Sequence, residues 1–430
     1  MARAQLLVTG RMLQADGSLA RGGFTVLDGR VVDAGPHLSA PERVDFGERL
    51  VLPGAVDPHV HFRDPGHPEK EDFASGTRAA ALGGVTTVMD MPNTVPPVFT
   101  RAALDEKLER ARAKARVDFG LYAGLDEKGA SLSILPEASA LKIYLGSTTG
   151  ELLVRDPEVV RRALVAAARA GRTVTVHAES QDCLDRHAHL AGEGYGSHAA
   201  ARPPECEADA IRRLAAAARG TGARVHVAHL STRAGLEALR GTGFTSEATP
   251  HHLLLADARL AEGGRFKMNP PLRSEADRRA LFEAFARGDV LVLASDHAPH
   301  TAQEKAAPRQ GACPSGVPGV QTLVPLLLAL AKEGRLPLAR LADASTAAAR
   351  VFRLPGKGVL GPGQDADFAA YDLGDVRSVR GEELASRAGW SPFEGMPAIF
   401  PTDVVVRGHA VVAGGTLVAD APRGAFLRPA

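Results

Sequence analysis

The 430-residue sequence predicts an α/β protein, a (β/α)8 TIM-like barrel carrying a small β-sandwich that both chain termini build. Three observations carry that expectation. Between Val51 and Leu354, short β-branched runs alternate with stretches of Ala, Arg, Leu and Glu at helical period. Eight such units can be counted, the number that closes a barrel of parallel strands. Before and after this span the texture changes to β-type runs broken by turn residues.

The runs QLLVTG and FTVLDGRVVDAG open the chain, with Asp28-Gly29 as a hairpin turn between two strands. The same texture returns in DADFAAYDL and TDVVVRGHAVVAGGTLV, so residues 1–50 and 355–430 are expected to form one composite β domain around a barrel of residues 51–354. The eight barrel strands are read in AVDPHVHF, GVTTVMDMP, RVDFGLYAG, ALKIYLG, TVTVHAES, RVHVAHLS, GFTSEATP and DVLVLASDHAP, with helices such as RAALDEKLERARAKA and PEVVRRALVAAARAG between them. Two segments have the composition of long functional loops, His300 to Val320 after the last strand and Ala188 to Glu205 before a helix.

With 51 Lys and Arg against 50 Asp and Glu, the net charge of +1 supplies no global field for nucleic acid or an anionic membrane. Cys183, Cys206 and Cys313 form no CxxC pair and read as reduced thiols. The first residues lack the apolar core of a signal peptide, and no apolar run reaches the ~18 residues of a membrane span. A cytoplasmic enzyme is the expectation.

Polar residues gather at the carboxyl ends of the predicted strands, where barrels keep their active sites. His59 and His61 are two apart in the first strand, so the strand period turns both imidazoles to one face. An HxH pair alone is as often a hydrogen-bonded core feature as a metal site. Here His177, His229 and Asp296 arrive at the same rim from other strands. Imidazole with carboxylate suits Zn²⁺, and five ligands exceed one tetrahedral site, so two ions are implied. A paired centre needs a bridging anion. The fourth strand offers Lys142 and no acid, unless Glu151 reaches back from the loop. A neutral lysine can add CO₂ to become an anionic carbamate, a change that neighbouring dications favour.

The strings PGAVDPHVHFRDPG, MDMPNT, LKIYLG, VHAES, VAHLS, EATPHHLLL, KMNPPLR, ASDHAPHTAQEK and GVPGVQTLVPLL, in this order, resemble the dihydroorotases of the amidohydrolase superfamily. The resemblance spans nearly the whole chain. It implies a barrel with a terminal β-sandwich, two Zn²⁺ per subunit and a homo-oligomer, dimer or tetramer, with aspartate carbamoyltransferase as a possible associate. It assigns His59, His61, His177, His229 and Asp296 as metal ligands and Lys142 as a carbamylated bridge, as in the lysine-bearing branch of the family. Asp296 is also the implied proton carrier. Arg63 and Asn93 resemble the pair that holds a ring carboxylate, a task suited to the planar guanidinium fork. Asn269, His300, Ser315 and Gly316 resemble further substrate contacts.

Other histidines take plainer readings. His226 is expected on the opposite strand face, packed against helices; His251 and His252 in hydrogen-bonding roles; His37, His187, His189, His198 and His409 at the surface. The rival activities are those of allantoinase and hydantoinase, which share barrel, metals and bridging lysine but lack an arginine at the position of Arg63. A catalytically dead scaffold subunit is the rival of another class, and the intact ligand set argues against it.

Overall fold

The computed structural model describes residues 5–148, 150, 152–418 and 424–429. Eight parallel strands form one sheet in chain order: Ala55–Val60, Val85–Asp90, Asp118–Gly124, Ala140–Tyr144, Val174–His177, Val225–Val227, Thr245–Ala248 and Val292–Leu293. The ends meet. Val60 bridges His297 in parallel, and His61 N donates to His297 O at 2.7 Å, which closes the barrel. Every residue of the first four strands is buried, as a sheet covered on both faces requires. All eight strands lie inside the predicted runs.

Helices cover the outer face, and their local chemistry explains where they start. Asp72 caps Phe73–Leu82 through a capping box with Ser75, and Thr100 caps Arg101–Lys114 by accepting from Ala103 N. Pro157–Arg169 has Pro at its first turn with Asp156 as cap. The rhythm is broken once. Between the third and fourth strands only a 3-10 turn, Ala130–Ile134, replaces a helix.

The other sheet has eight strands from both ends of the chain, with Glu42–Pro53 between Leu6–Leu13 and Phe368–Tyr371. It curls back on itself, since Val31 N donates to Gln364 O and Ala366 N to Gly29 O, each at 2.8 Å. Phe24, Phe46 and Phe368 pack edge to face in the resulting core. Asp28-Gly29 is the expected hairpin turn: Leu27 pairs with Arg30, and both turn residues have positive φ, 50° and 76°. Residues 424–429 leave this sheet and lie on the barrel, where Leu427 N donates to Phe119 O at 2.8 Å.

The cysteine expectation is corrected. Cys183 and Cys206 are joined in a disulfide between the helices Gln181–His187 and Pro204–Ala218, and only Cys313 is free. Their separation of 23 residues hid the pairing, because the intervening segment folds back on itself. Among the described residues no helix is long and apolar enough to cross a membrane.

Candidate active site

The carboxyl ends of the barrel strands carry a concentration of unusual backbone. Six described non-glycine residues have positive φ, and three of them are Arg63 (60°), His229 (33°) and Asp296 (45°), each just past a strand end. This left-handed region costs an L-residue energy that surrounding contacts must offset. The turns re-aim side chains that a continuing strand would send elsewhere.

Two donor groups result. His59 Nε2 and His61 Nε2 lie 3.3 and 3.2 Å from Asp296 Oδ1. His177 Nδ1 faces His229 Nε2 at 3.0 Å. The groups adjoin, with the rings of His59 and His229 5.3 Å apart. Lys142 Nζ stands beside them, 3.5 Å from His59 Nε2. All six residues are buried.

Three of the four imidazoles are held from behind, while Nδ1 of the buried His229 has no hydrogen-bond partner among the described residues. His59 Nδ1 donates to Glu247 Oε1 at 2.5 Å, His61 Nδ1 to Asn93 Oδ1 at 2.6 Å, and His177 Nε2 to Glu179 Oε2 at 2.9 Å. Such acceptors fix tautomer and ring orientation, leaving the other nitrogen's lone pair aimed inward. Burial pushes His59 down to about 4 and His61 and His229 well below the usual imidazole range, so the rings are uncharged at neutral pH. The same desolvation takes Lys142 down to about 8 and raises Asp296.

This donor set fits metal ions. Zn²⁺ takes neutral imidazole and carboxylate at ~2.0–2.2 Å, which places tetrahedral donors roughly 3.3 Å apart. The separations of 3.2 and 3.3 Å in the first group match that edge. His59, His61 and Asp296 can present one donor atom each to a common centre. A lysine eased toward its neutral amine is also the form that can take up CO₂.

The candidate substrate residues share the cavity. Arg63, Asn93, Asn269, Ser315 and Gly316 line a space of about 360 Å³ together with the six donors. His300 stands outside it, lining an adjoining cavity of about 1010 Å³ that Arg63 and Asn93 also reach. Arg63 Nη2 meets His300 Nε2 at 3.3 Å. Asn269 Nδ2 donates to Thr148 Oγ1 at 3.3 Å, while its buried Oδ1 has no partner, an acceptor open to the cavity. The Tyr144 hydroxyl, which lines the same space, is also buried and unpaired. Glu151, the alternative bridge, lies outside the described residues.

Several contributors escaped the sequence reading. Glu247 is the largest omission, although its place in GFTSEATP on a barrel strand was a usable signal. Glu179 lies two residues beyond His177, and Arg202 pairs with it. Lys305 donates to the carbonyls of Lys267, Pro314 and Gly316 at 2.8–2.9 Å and so holds the Ser315-Gly316 loop.

Three plainer readings are corrected. His226 faces the barrel interior, donating to Glu247 Oε2 at 3.0 Å, because the strand ends at Val227 and alternation with His229 breaks there. His198 is buried and donates to Met268 O at 3.0 Å. His252 makes the expected hydrogen bonds, to Thr249 Oγ1 and Pro270 O, but neither ring nitrogen of the buried His251 has a partner.

A barrel rim of this kind, with inward imidazoles and a carboxylate held by buried acceptors, defines a hydrolase built around a metal-competent centre. The profile of the amidohydrolase family matches residues 50–411, and the chain belongs to that family. It is 44% identical over 399 residues to a dihydroorotase of Halobacterium salinarum, covering 91% of this chain and 94% of that one. It is 36% identical over 440 residues to an allantoinase of Rubrobacter xylanophilus, covering 96% of each. Among solved structures, the L-hydantoinase (dihydropyrimidinase) of Arthrobacter aurescens superposes with a TM-score of 0.92 at 27% identity, over 99% of this chain and all of that one.

Proposed function

We propose that this enzyme is a dihydroorotase, interconverting N-carbamoyl-L-aspartate and L-dihydroorotate. The observation that carries the reading is Arg63. Its guanidinium is buried and lines the same cavity as the imidazole cluster, with Asn93 on that wall. A buried cation facing a cavity calls for an anionic group on the ligand. Dihydroorotate has a ring carboxylate, which allantoin and unsubstituted hydantoin lack. The several dihydroorotases among the similar proteins support the same choice.

In this reading His59, His61 and Asp296 would hold one Zn²⁺ and His177 and His229 a second, and Lys142, once carbamylated, would supply the anionic ligand they share. Bound there, the ions would acidify a water and polarise the scissile carbonyl. Arg63 and Asn93 bind the ring carboxylate and set the ring's orientation. Asn269, His300 and the Ser315-Gly316 backbone meet its remaining polar edges. Asp296 takes the proton from the attacking water and delivers it to the departing ring nitrogen. Running backwards, it receives the ureido proton and passes it to the leaving oxygen. The homo-oligomer and the association with aspartate carbamoyltransferase belong to the same proposal, tested by light scattering and co-purification.

Arg63→Ala is the deciding variant. We expect the KM for dihydroorotate to rise roughly 10²-fold, the scale of losing a charge-assisted contact of ~3 kcal/mol. Hydrolysis is followed by ultraviolet absorbance against hydantoin and allantoin as competitors. An unchanged KM, or faster turnover of either competitor by the native protein, turns the assignment toward the allantoinase and hydantoinase relatives. Metal analysis of the same preparation checks zinc at two ions per subunit.

A further inference from the structure

Glu247 is completely buried at the centre of the barrel and uses both oxygens. Oε1 accepts from His59 Nδ1 at 2.5 Å and from the backbone N–H of His229 at 3.1 Å. Oε2 accepts from His226 Nε2 at 3.0 Å. One carboxylate oxygen therefore touches a residue of each donor group. His226 Nδ1 lies 2.8 Å from Thr245 Oγ1, so both ring nitrogens have partners. No arginine or lysine is paired with Glu247 among the described ion pairs, whose only partners for it are His59 and His226.

Glu179, behind His177, is placed differently. Arg202 lies against it through both Nε and Nη2, and a second guanidinium, that of Arg273, stands 3.9 Å away. Its negative charge is already balanced. It also grips one ring and no backbone of the other donor group.

We propose that Glu247 is a positioning residue joining the two metal half-sites, strengthening His59 as a ligand through its charge and fixing His229 through its grip on the strained turn. This rests on the paired-metal reading above. An acceptor carboxylate raises the electron donation of a ligating imidazole, and removal of such partners costs 10–100-fold in metal affinity. The His229 backbone, at φ 33°, depends on contacts such as this one to hold an uncommon conformation.

The two parts of the role separate by substitution. In Glu247→Gln the amide oxygen can still accept from His59 and from His229 N–H, while the amide nitrogen donates to His226 in its other tautomer. Shape and hydrogen bonds survive, and only the charge is lost. Glu247→Ala loses both. Metal-stripped protein is titrated with Zn²⁺ by calorimetry and with Co²⁺ by visible absorption, with circular dichroism confirming the fold.

The expected result is two equivalents bound by the native protein. Glu247→Gln weakens one of them about 10–100-fold and leaves the other within about threefold. Glu247→Ala weakens both, and Glu179→Gln weakens one by less than Glu247→Gln does. Native affinity at both equivalents in Glu247→Gln overturns the proposal while leaving the paired-metal reading intact, even where the alanine variant fails to fold. Uptake of fewer than two ions by the native protein overturns both.

Discussion

The rim and the floor of the barrel each bury three groups able to hold a cation, His59, His61 and Asp296 above and Asp118, Asp365 and Asp367 below. At the floor the cation is already present. Lys357 Nζ reaches Asp118, Asp367 and Asp365 at 2.5, 2.8 and 2.9 Å, and Arg407 Nε adds to Asp118 at 3.2 Å. The cluster ties the barrel to the terminal sheet and accepts Ala425 N on Asp118, fastening the C-terminal segment. At the rim the donors face a cavity. The nearby lysines show the difference: burial takes Lys142 down to about 8, whereas for Lys357 three carboxylates outweigh burial and hold its affinity for the proton above the usual range. A buried charged cluster is structural when its charges close on one another, and functional when they are left for a ligand to close.

That contrast predicts separable losses. At the rim, Asp296→Asn should cut turnover of dihydroorotate roughly 10³-fold, the scale of a lost proton carrier. The melting temperature should stay near the native value, since removing a carboxylate from a crowded interior relieves its desolvation. At the floor, Lys357→Met leaves three carboxylates without their ammonium and should cost about 3–5 kcal/mol of stability. Its kcat in the folded fraction should remain native. Urea unfolding and steady-state kinetics on both variants check the pair. If Lys357→Met lowers kcat with stability intact, the division between the two ends is wrong.

A smaller effect concerns what surrounds the rim. The Cys183–Cys206 disulfide closes the segment that carries Arg202, the partner of Glu179, and Tyr195, whose hydroxyl donates to Ala307 O at 2.5 Å. Closing a loop of 23 residues contributes roughly 3 kcal/mol through the unfolded chain. Cys183→Ser should lose about that much in unfolding free energy while keeping most of its activity. Alkylation of the denatured, unreduced protein should label one cysteine, Cys313, and all three after reduction. Three labelled without reduction would show that the bond is not present.

The sequence exposed the rim more fully than the floor, for a physical reason. Strand ends repeat in a barrel, so histidines and an aspartate at successive ends converge whatever the intervening helices do, and His59, His61, His177, His229 and Asp296 could be gathered by register alone. Glu247 was missed because its strand, GFTSEATP, is short and weakly apolar, and a glutamate there reads as readily as an exposed residue. His226 was assigned to the wrong face because alternation was carried past Val227, where the strand stops. The floor cluster was illegible: Asp118 and Lys357 are 239 residues apart, and nothing local marks either as buried. The disulfide failed for a similar reason, since its halves look like two helix cysteines with no shared motif.

The smallest predicted effect tests whether the rim's supporting histidines behave as neutral structural groups. His198 donates to Met268 O, and His252 donates to Pro270 O with Thr249 Oγ1 at its other nitrogen, so both brace the segment that carries Asn269. Burial holds each down to about 3 in the folded protein, against 6.5 for a free imidazole. The unfolded chain therefore takes up protons first. Stability from these groups is complete above about pH 6.5 and falls as the solution is acidified toward pH 3, by up to about 1.4 kcal/mol per pH unit for each ring. By about pH 5 one imidazole should account for roughly 2 kcal/mol. His198→Asn retains a donor for Met268 O and removes the titration, so its urea midpoint should decline less than the native one between about pH 7.5 and pH 5. Parallel declines would mean that His198 gains its proton in the folded state as readily as in the unfolded chain, and that this part of the rim is open to water.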